Sequence, residues 1–186
     1  MRITVLWEDQ RGGPQKSFGP HDLLAVCVAD HLAIDATQVR PYLLSVPKKG
    51  NGNLVRRALA SDLDHLTKTG PVFAVLDRDK VEELWRQHER PANCMAALRQ
   101  RIVQEAPGSY DLVFLVENVE SLVDACRVSL NLPSGKRKPT PEERDTILER
   151  AVWNADPSQR GRILAECPSF KRLVGRVAEQ MKGLLE

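Results

Sequence analysis

The chain has 186 residues, a net charge of +2, and ordinary hydrophobic (42%) and charged (28%) fractions, which fits one soluble globular domain long enough to bury a core. So small a net charge names no partner by itself, and no stretch approaches the roughly 18 apolar residues that a membrane span needs. The N-terminus lacks the basic-then-apolar order of a secretory signal, so a cytoplasmic protein without membrane association is expected.

The chain opens with Arg2 to Trp7, a compact β-branched run that reads as a strand and stops at Glu8 and Asp9. Residues 10–20 hold three Gly and two Pro and read as a loop. Asp22 to Leu32 follows as a mostly buried helix carrying Leu23, Leu24, Val26, Cys27 and Val28. Val39 to Val46 reads as a second strand, with Pro41 placing it at or near an edge. The loop after it carries Lys48 and Lys49, and with Arg56 and Arg57 it gives four positive charges within ten residues. A phosphate-rich ligand could use that cluster, but a solvated loop and helix face is the simpler reading of it. Leu54 to Thr67 reads as an amphipathic helix stopped by Gly70 and Pro71.

Val72 to Leu76 is a run of apolar residues that ends on two carboxylates, Asp77 and Asp79. In an extended backbone, residues at i and i+2 point the same way, so the two acids are placed to grip one hard cation. Asp79 also fits the cap of the helix expected from Asp79 to Gln104, which Pro91 interrupts. Tyr110 to Val116 is a further strand, ending at Glu117 and leading into a helix. On that helix Glu117, Glu120 and Asp124 fall nearly opposite the apolar Val119, Leu122, Val123 and Cys126, and Asp124 reads as solvated.

Residues 132–141 are polar, basic and proline-rich, and a helical tail follows. One helix spans Pro141 to Trp153, opened by Thr140 and Glu143 at capping-box spacing with Pro at the first helical position. Another opens at Pro168, with a stripe of Phe170, Leu173, Val174 and Val177. Alternating strands and helices predict an α/β fold with a mostly parallel, Rossmann-like sheet flanked by helices. Residues 1–131 form the expected core, and residues 132–186 a helical extension packed on it.

The four cysteines, Cys27, Cys94, Cys126 and Cys167, form no C-x-x-C pair and read as reduced thiols. The four histidines lack zinc-ligand spacing. No phosphate-binding glycine loop of the P-loop or dinucleotide type is present. What remains is a convergence of acids. In a parallel sheet, the strand ends at Glu8, at Asp77 with Asp79, and at Glu117 share one edge. Packed carboxylates repel unless a positive charge sits among them, and an oxygen-ligated divalent cation supplies it.

An acid after the first strand and Asp-x-Asp after a later one is the arrangement of TOPRIM domains. The chain resembles the small bacterial and archaeal TOPRIM-like proteins related to the RloB and OLD-type families, many of them found near defence genes. The likeness is carried by Val5-Leu-Trp-Glu8, Leu76-Asp-Arg-Asp79, Glu117-Asn-Val-Glu-Ser-Leu-Val-Asp-Ala125 and Pro168-Ser-Phe-Lys-Arg-Leu173. Two departures stand out: Asp9 follows Glu8 where those domains commonly have Gly, and Ser121 stands where a small residue and an aromatic are usual.

The resemblance implies a metal-dependent nuclease. Asp77 and Asp79 would hold Mg²⁺ or Mn²⁺, and Glu8 would serve as ligand or general acid/base. Glu117 and Glu120 would serve a second metal or its surroundings. Lys48, Lys49, Arg56 and Arg57 would hold the nucleic-acid backbone, with DNA ahead of RNA. A partner ATPase or another defence protein is the further partner class it implies. Two other classes stay open: a non-catalytic TOPRIM-like subunit of a defence complex, and a receiver-type phosphotransfer domain, against which the poor fit of the acid positions counts.

Overall fold

A computed structural model describes residues 1–7, 19–47, 69–77, 110–115, 119–133 and 139–186, with backbone alone at 47, 77, 110–112 and 114–115. Among these residues four strands form one sheet: β1 (Ile3–Trp7), β2 (Leu43–Pro47), β3 (Val72–Asp77) and β4 (Tyr110–Leu115), in the order β2-β1-β3-β4. Every neighbouring pair is parallel. The α/β class and the parallel sheet expected from the sequence are therefore present.

All five residues of β1 are buried, including Thr4 at 1% exposure. Such a strand reads as a continuous apolar run because a central parallel strand is covered on both faces. β1 lies between β2 and β3, and the register sets Trp7 opposite Pro47 on one side and Val75 on the other. β3 and β4 continue past that row, ending with Asp77 opposite Leu115. The entry to β3 is tight. Gly70 has φ +153°, and a Cβ there would stand 2.1 Å from the Arg2 carbonyl oxygen. The Thr4 amide donates to the Pro71 carbonyl at 2.9 Å, tying this entry to β1.

The expected strand from Val39 to Val46 is shorter than the sequence suggests. Residues Ala36–Val39 form a short helix, α2, and Arg40–Tyr42 a 3₁₀ turn, so extended structure begins only at Leu43. The cause is local capping. The Asp35 carboxylate accepts from the Thr37 amide at 2.8 Å and from its hydroxyl at 2.6 Å, while Gln38 Oε1 accepts from the Asp35 amide at 3.2 Å. β2 is nevertheless at an edge of the described sheet. The helices expected over 54–67 and 79–104, and the loop over 10–18, lie outside the described residues.

The remaining helices among the described residues are α1 (Pro20–Leu32), α3 (Val119–Ser129), α4 (Pro141–Trp153), α5 (Pro157–Glu166) and α6 (Pro168–Leu185). Chain contacts divide the molecule into two compact units, one of residues 1–12 with 43–116 and one of residues 13–42 with 117–186. The first holds the sheet and the second these helices.

Within the helical unit α1 is the hub, packing on α2, α4, α5 and α6. Its seven consecutive residues Leu23 to Ala29 are all buried, as befits a helix covered all round. The α6 stripe is in place, with Phe170, Leu173, Val174, Val177 and Met181 at no more than 1% exposure. Each such side chain contributes about 1.5–3 kcal/mol.

The capping box at Thr140 is present, with Glu143 Oε2 accepting from the Thr140 amide at 2.7 Å and Thr140 Oγ1 from the Glu143 amide at 3.2 Å. Loss of such a cap costs about 1 kcal/mol. α5 is capped in the same way by Asp156 and Gln159, with Pro157 at its first turn.

Candidate functional site

Among the described residues, the C-terminal edge of the sheet is formed by the ends of its strands. β1 stops at Trp7, β3 at Asp77 and β4 at Leu115, and because the strands are parallel these ends share one edge. β1 connects onward to β2 on one side while β3 lies on its other side. The crevice between the ends of β1 and β3 is thus the topological switch point, where ligands bind in open α/β sheets.

Asp77 is the last residue of β3, two positions past the Val75 that pairs with Trp7. Glu8 follows Trp7 in the chain, and Glu8, Asp79 and Glu117 lie outside the described residues. The basic positions Lys48, Lys49, Arg56 and Arg57 do so as well. Trp7 itself is 6% exposed, and its indole Nε1 is buried without a hydrogen-bond acceptor among the described residues. Sequence reading does not single out this donor, because only packing decides whether an indole N–H finds an acceptor.

Glu120 belongs to the helical unit, in the first turn of α3. Its Oε1 stands 3.7 Å from Nη1 of Arg144 on α4, in a pair 29% and 21% exposed. Asp124 is 65% exposed and pairs with Arg127 at 3.7 Å, in keeping with a solvated face. Among the described residues no cluster of three or more His, Cys, Asp or Glu is disposed to hold a metal ion. Among the same residues no helix is long and apolar enough to cross a membrane.

Other titratable groups serve the helical unit. At the start of α1, Asp22 accepts from the Gly19 amide at 3.2 Å and lies 3.0 Å from His21 Nε2. Burial raises its carboxyl pKa, but the hydrogen bond and charge of His21, with the Gly19 amide, outweigh that and hold it below the ordinary 3.8. Cys27, Cys126 and Cys167 are buried thiols. Burial pushes Cys27 up to about 12 and raises Cys126 as well. On the surface, the Arg40 guanidinium lies 5.0 Å from the ring centre of Trp153, which is 58% exposed.

No protein-family model matches the sequence, and no curated protein matches it. Among solved structures, the chain is similar to the C-terminal region of the Xanthomonas campestris pv. campestris OLD protein. That likeness has a TM-score of 0.34 and 14% sequence identity, and it covers 97% of this chain and 84% of the other.

Proposed function

We propose that the protein is a divalent-metal-dependent nuclease of TOPRIM type, hydrolysing phosphodiesters at the C-terminal edge of its sheet. The observation that supports this reading is the parallel register that sets the end of β1 beside the end of β3, with Asp77 closing β3. Carboxylate oxygens are hard donors of the kind Mg²⁺ and Mn²⁺ take, so the donor set fits such a cation.

On this reading Asp77 and Asp79 hold the cation, and Glu8 completes its shell or moves the proton of the attacking water. The bound cation supplies positive charge to the anionic phosphate and acidifies water. Glu117 stands as a ligand for a second cation. Glu120, already neutralised by Arg144, is the least suited member of that set. Lys48, Lys49, Arg56 and Arg57 hold the backbone of the substrate without reading its bases. DNA comes ahead of RNA as substrate, and phage or plasmid defence alongside an ATPase is the setting.

Incubation with plasmid, linear and single-stranded DNA across Mg²⁺ and Mn²⁺ tests the proposal. Cleavage should require the ion and be abolished by Asp77→Ala. The ion should also raise the melting temperature of the parent, since a ligand bound only by the native state stabilises it. A metal-induced shift that survives Asp77→Asn combined with Asp79→Asn would remove these acids from the site.

A further inference from the structure

Trp7, the last residue of β1, carries a buried indole N–H. Its ring is accounted for by burial, at 6% exposure, but the N–H meets no acceptor among the described residues. Buried donors in native structures are almost always paired, and each exception calls for a cause. An indole N–H donates only, so it cannot ligate a cation. Whatever satisfies it must bring a lone pair. Trp7 is the last residue of β1, in register with Val75, and Asp77 is two positions further along β3. Positions of equal parity in paired parallel strands belong to one side of a sheet. Trp7 and the last acid of β3 therefore occupy positions on the same side of the sheet, toward its C-terminal edge.

We infer that the Trp7 indole N–H hydrogen-bonds a phosphate oxygen of the ligand held between the ends of β1 and β3. The inference rests on the nuclease reading and adds to it a group that positions the substrate phosphate. It assigns the two partners of a phosphodiester to different chemistry: carboxylates gather the cation, and Trp7 meets the anion directly.

The test uses the full chain, a fluorescein-labelled DNA oligonucleotide, and Ca²⁺ in place of Mg²⁺ to limit cleavage. Trp7→Phe keeps an aromatic ring and removes the donor. It should weaken oligonucleotide binding about tenfold, the loss of one hydrogen bond to a charged group. The melting temperature without ligand should be unchanged or higher, because no N–H is left unpaired. A lower melting temperature with unchanged affinity makes Trp7 a packing residue and overturns the inference. Failure of the parent to bind the oligonucleotide overturns both the inference and the nuclease reading.

A second measurement leaves Trp7 intact. In the double variant Trp85→Phe, Trp153→Phe, Trp7 is the sole tryptophan, and its emission should shift to the red on saturation with the oligonucleotide. No shift at saturation overturns the inference even if Trp7→Phe does not fold. Inorganic phosphate forms the other arm. A shift with phosphate and none with the oligonucleotide keeps the donor role and overturns the nucleic-acid source of the phosphate.

Discussion

Asp30 and Arg160, 130 residues apart in sequence, meet in a two-point ion pair in which Nε donates to Oδ2 at 2.5 Å and Nη2 to Oδ1 at 2.9 Å. The side chains are only 23% and 12% exposed, and Nη1 of Arg160 also donates to the Ala155 carbonyl. The pair fastens α5 to α1. The hydrogen bonding of Arg160 to the Asp30 carboxylate leads the causes that raise the guanidinium pKa above its ordinary value. Asp30→Ala strands a half-buried cation, and should lower stability by about 2 kcal/mol, between the worth of an exposed pair and a fully buried one. Arg160→Lys keeps the charge but not the fork, and should recover only part of that loss. Urea unfolding of the three proteins measures this, and a loss under about 0.5 kcal/mol in Asp30→Ala would contradict it.

Gly70 should tolerate no side chain. Its φ of +153° is rarely adopted by other residues, and a Cβ would stand 2.1 Å from backbone oxygen. Since that oxygen belongs to Arg2 at the entry of the central strand, relief requires moving β1. Gly70→Ala should destabilise by more than about 1 kcal/mol, and the same unfolding measurement checks it. A neutral result would show that β1 and the entry to β3 are not so closely apposed.

The buried thiols should be inert in the native state. Thiolate is the reactive form, and burial drives Cys27 to about 12. Pulse alkylation at pH 8 followed by peptide mass spectrometry should leave Cys27, Cys126 and Cys167 unmodified until denaturant is added. Rapid native labelling of Cys27 would mean that α1 is not sealed within its unit.

Acid should remove the contribution of Asp22. Its folded pKa is depressed below 3.8, so the native state favours the charged carboxylate. The resulting stability is fully present above pH 3.8 and is lost as pH falls through the lower folded value. Asp22→Asn should therefore be less stable than the parent at pH 6, and the gap should narrow toward pH 2. A gap that does not change with pH would assign the effect to packing.

How much of this was legible in the sequence follows from how local each cause is. The β1 and β3 runs are apolar throughout, and Thr140-Pro-Glu-Glu143 announces a helix start within four residues, so those elements could be read directly. Asp156-Pro-Ser-Gln159 carries the same signal, and would have located α5 by the same rule. The segment at 36–42 misled because Val39 and the apolar residues after it suggest a strand, whereas Asp35 and Gln38 decide for a helical turn. The Arg160 grip on Asp30 and the orphan indole of Trp7 were not legible, because both depend on packing between residues distant in the chain. The end of β3 at Asp77 was legible as a strand-then-acid run, and the order β2-β1-β3-β4 supplies what spacing alone does not, the adjacency of β1 and β3.

The central place of α1 governs how the protein must be made. Its buried run from Leu23 to Ala29 leaves the ribosome early, yet α4, α5 and α6, on which it packs, are synthesised on the order of a hundred residues later. Throughout that interval the apolar run of α1 lacks the cover of α4, α5 and α6. Its sequence-distant contacts slow productive folding and leave time for misassociation. Slower translation lengthens the exposure rather than relieving it, so yield should depend on chaperone supply more than on codon pace.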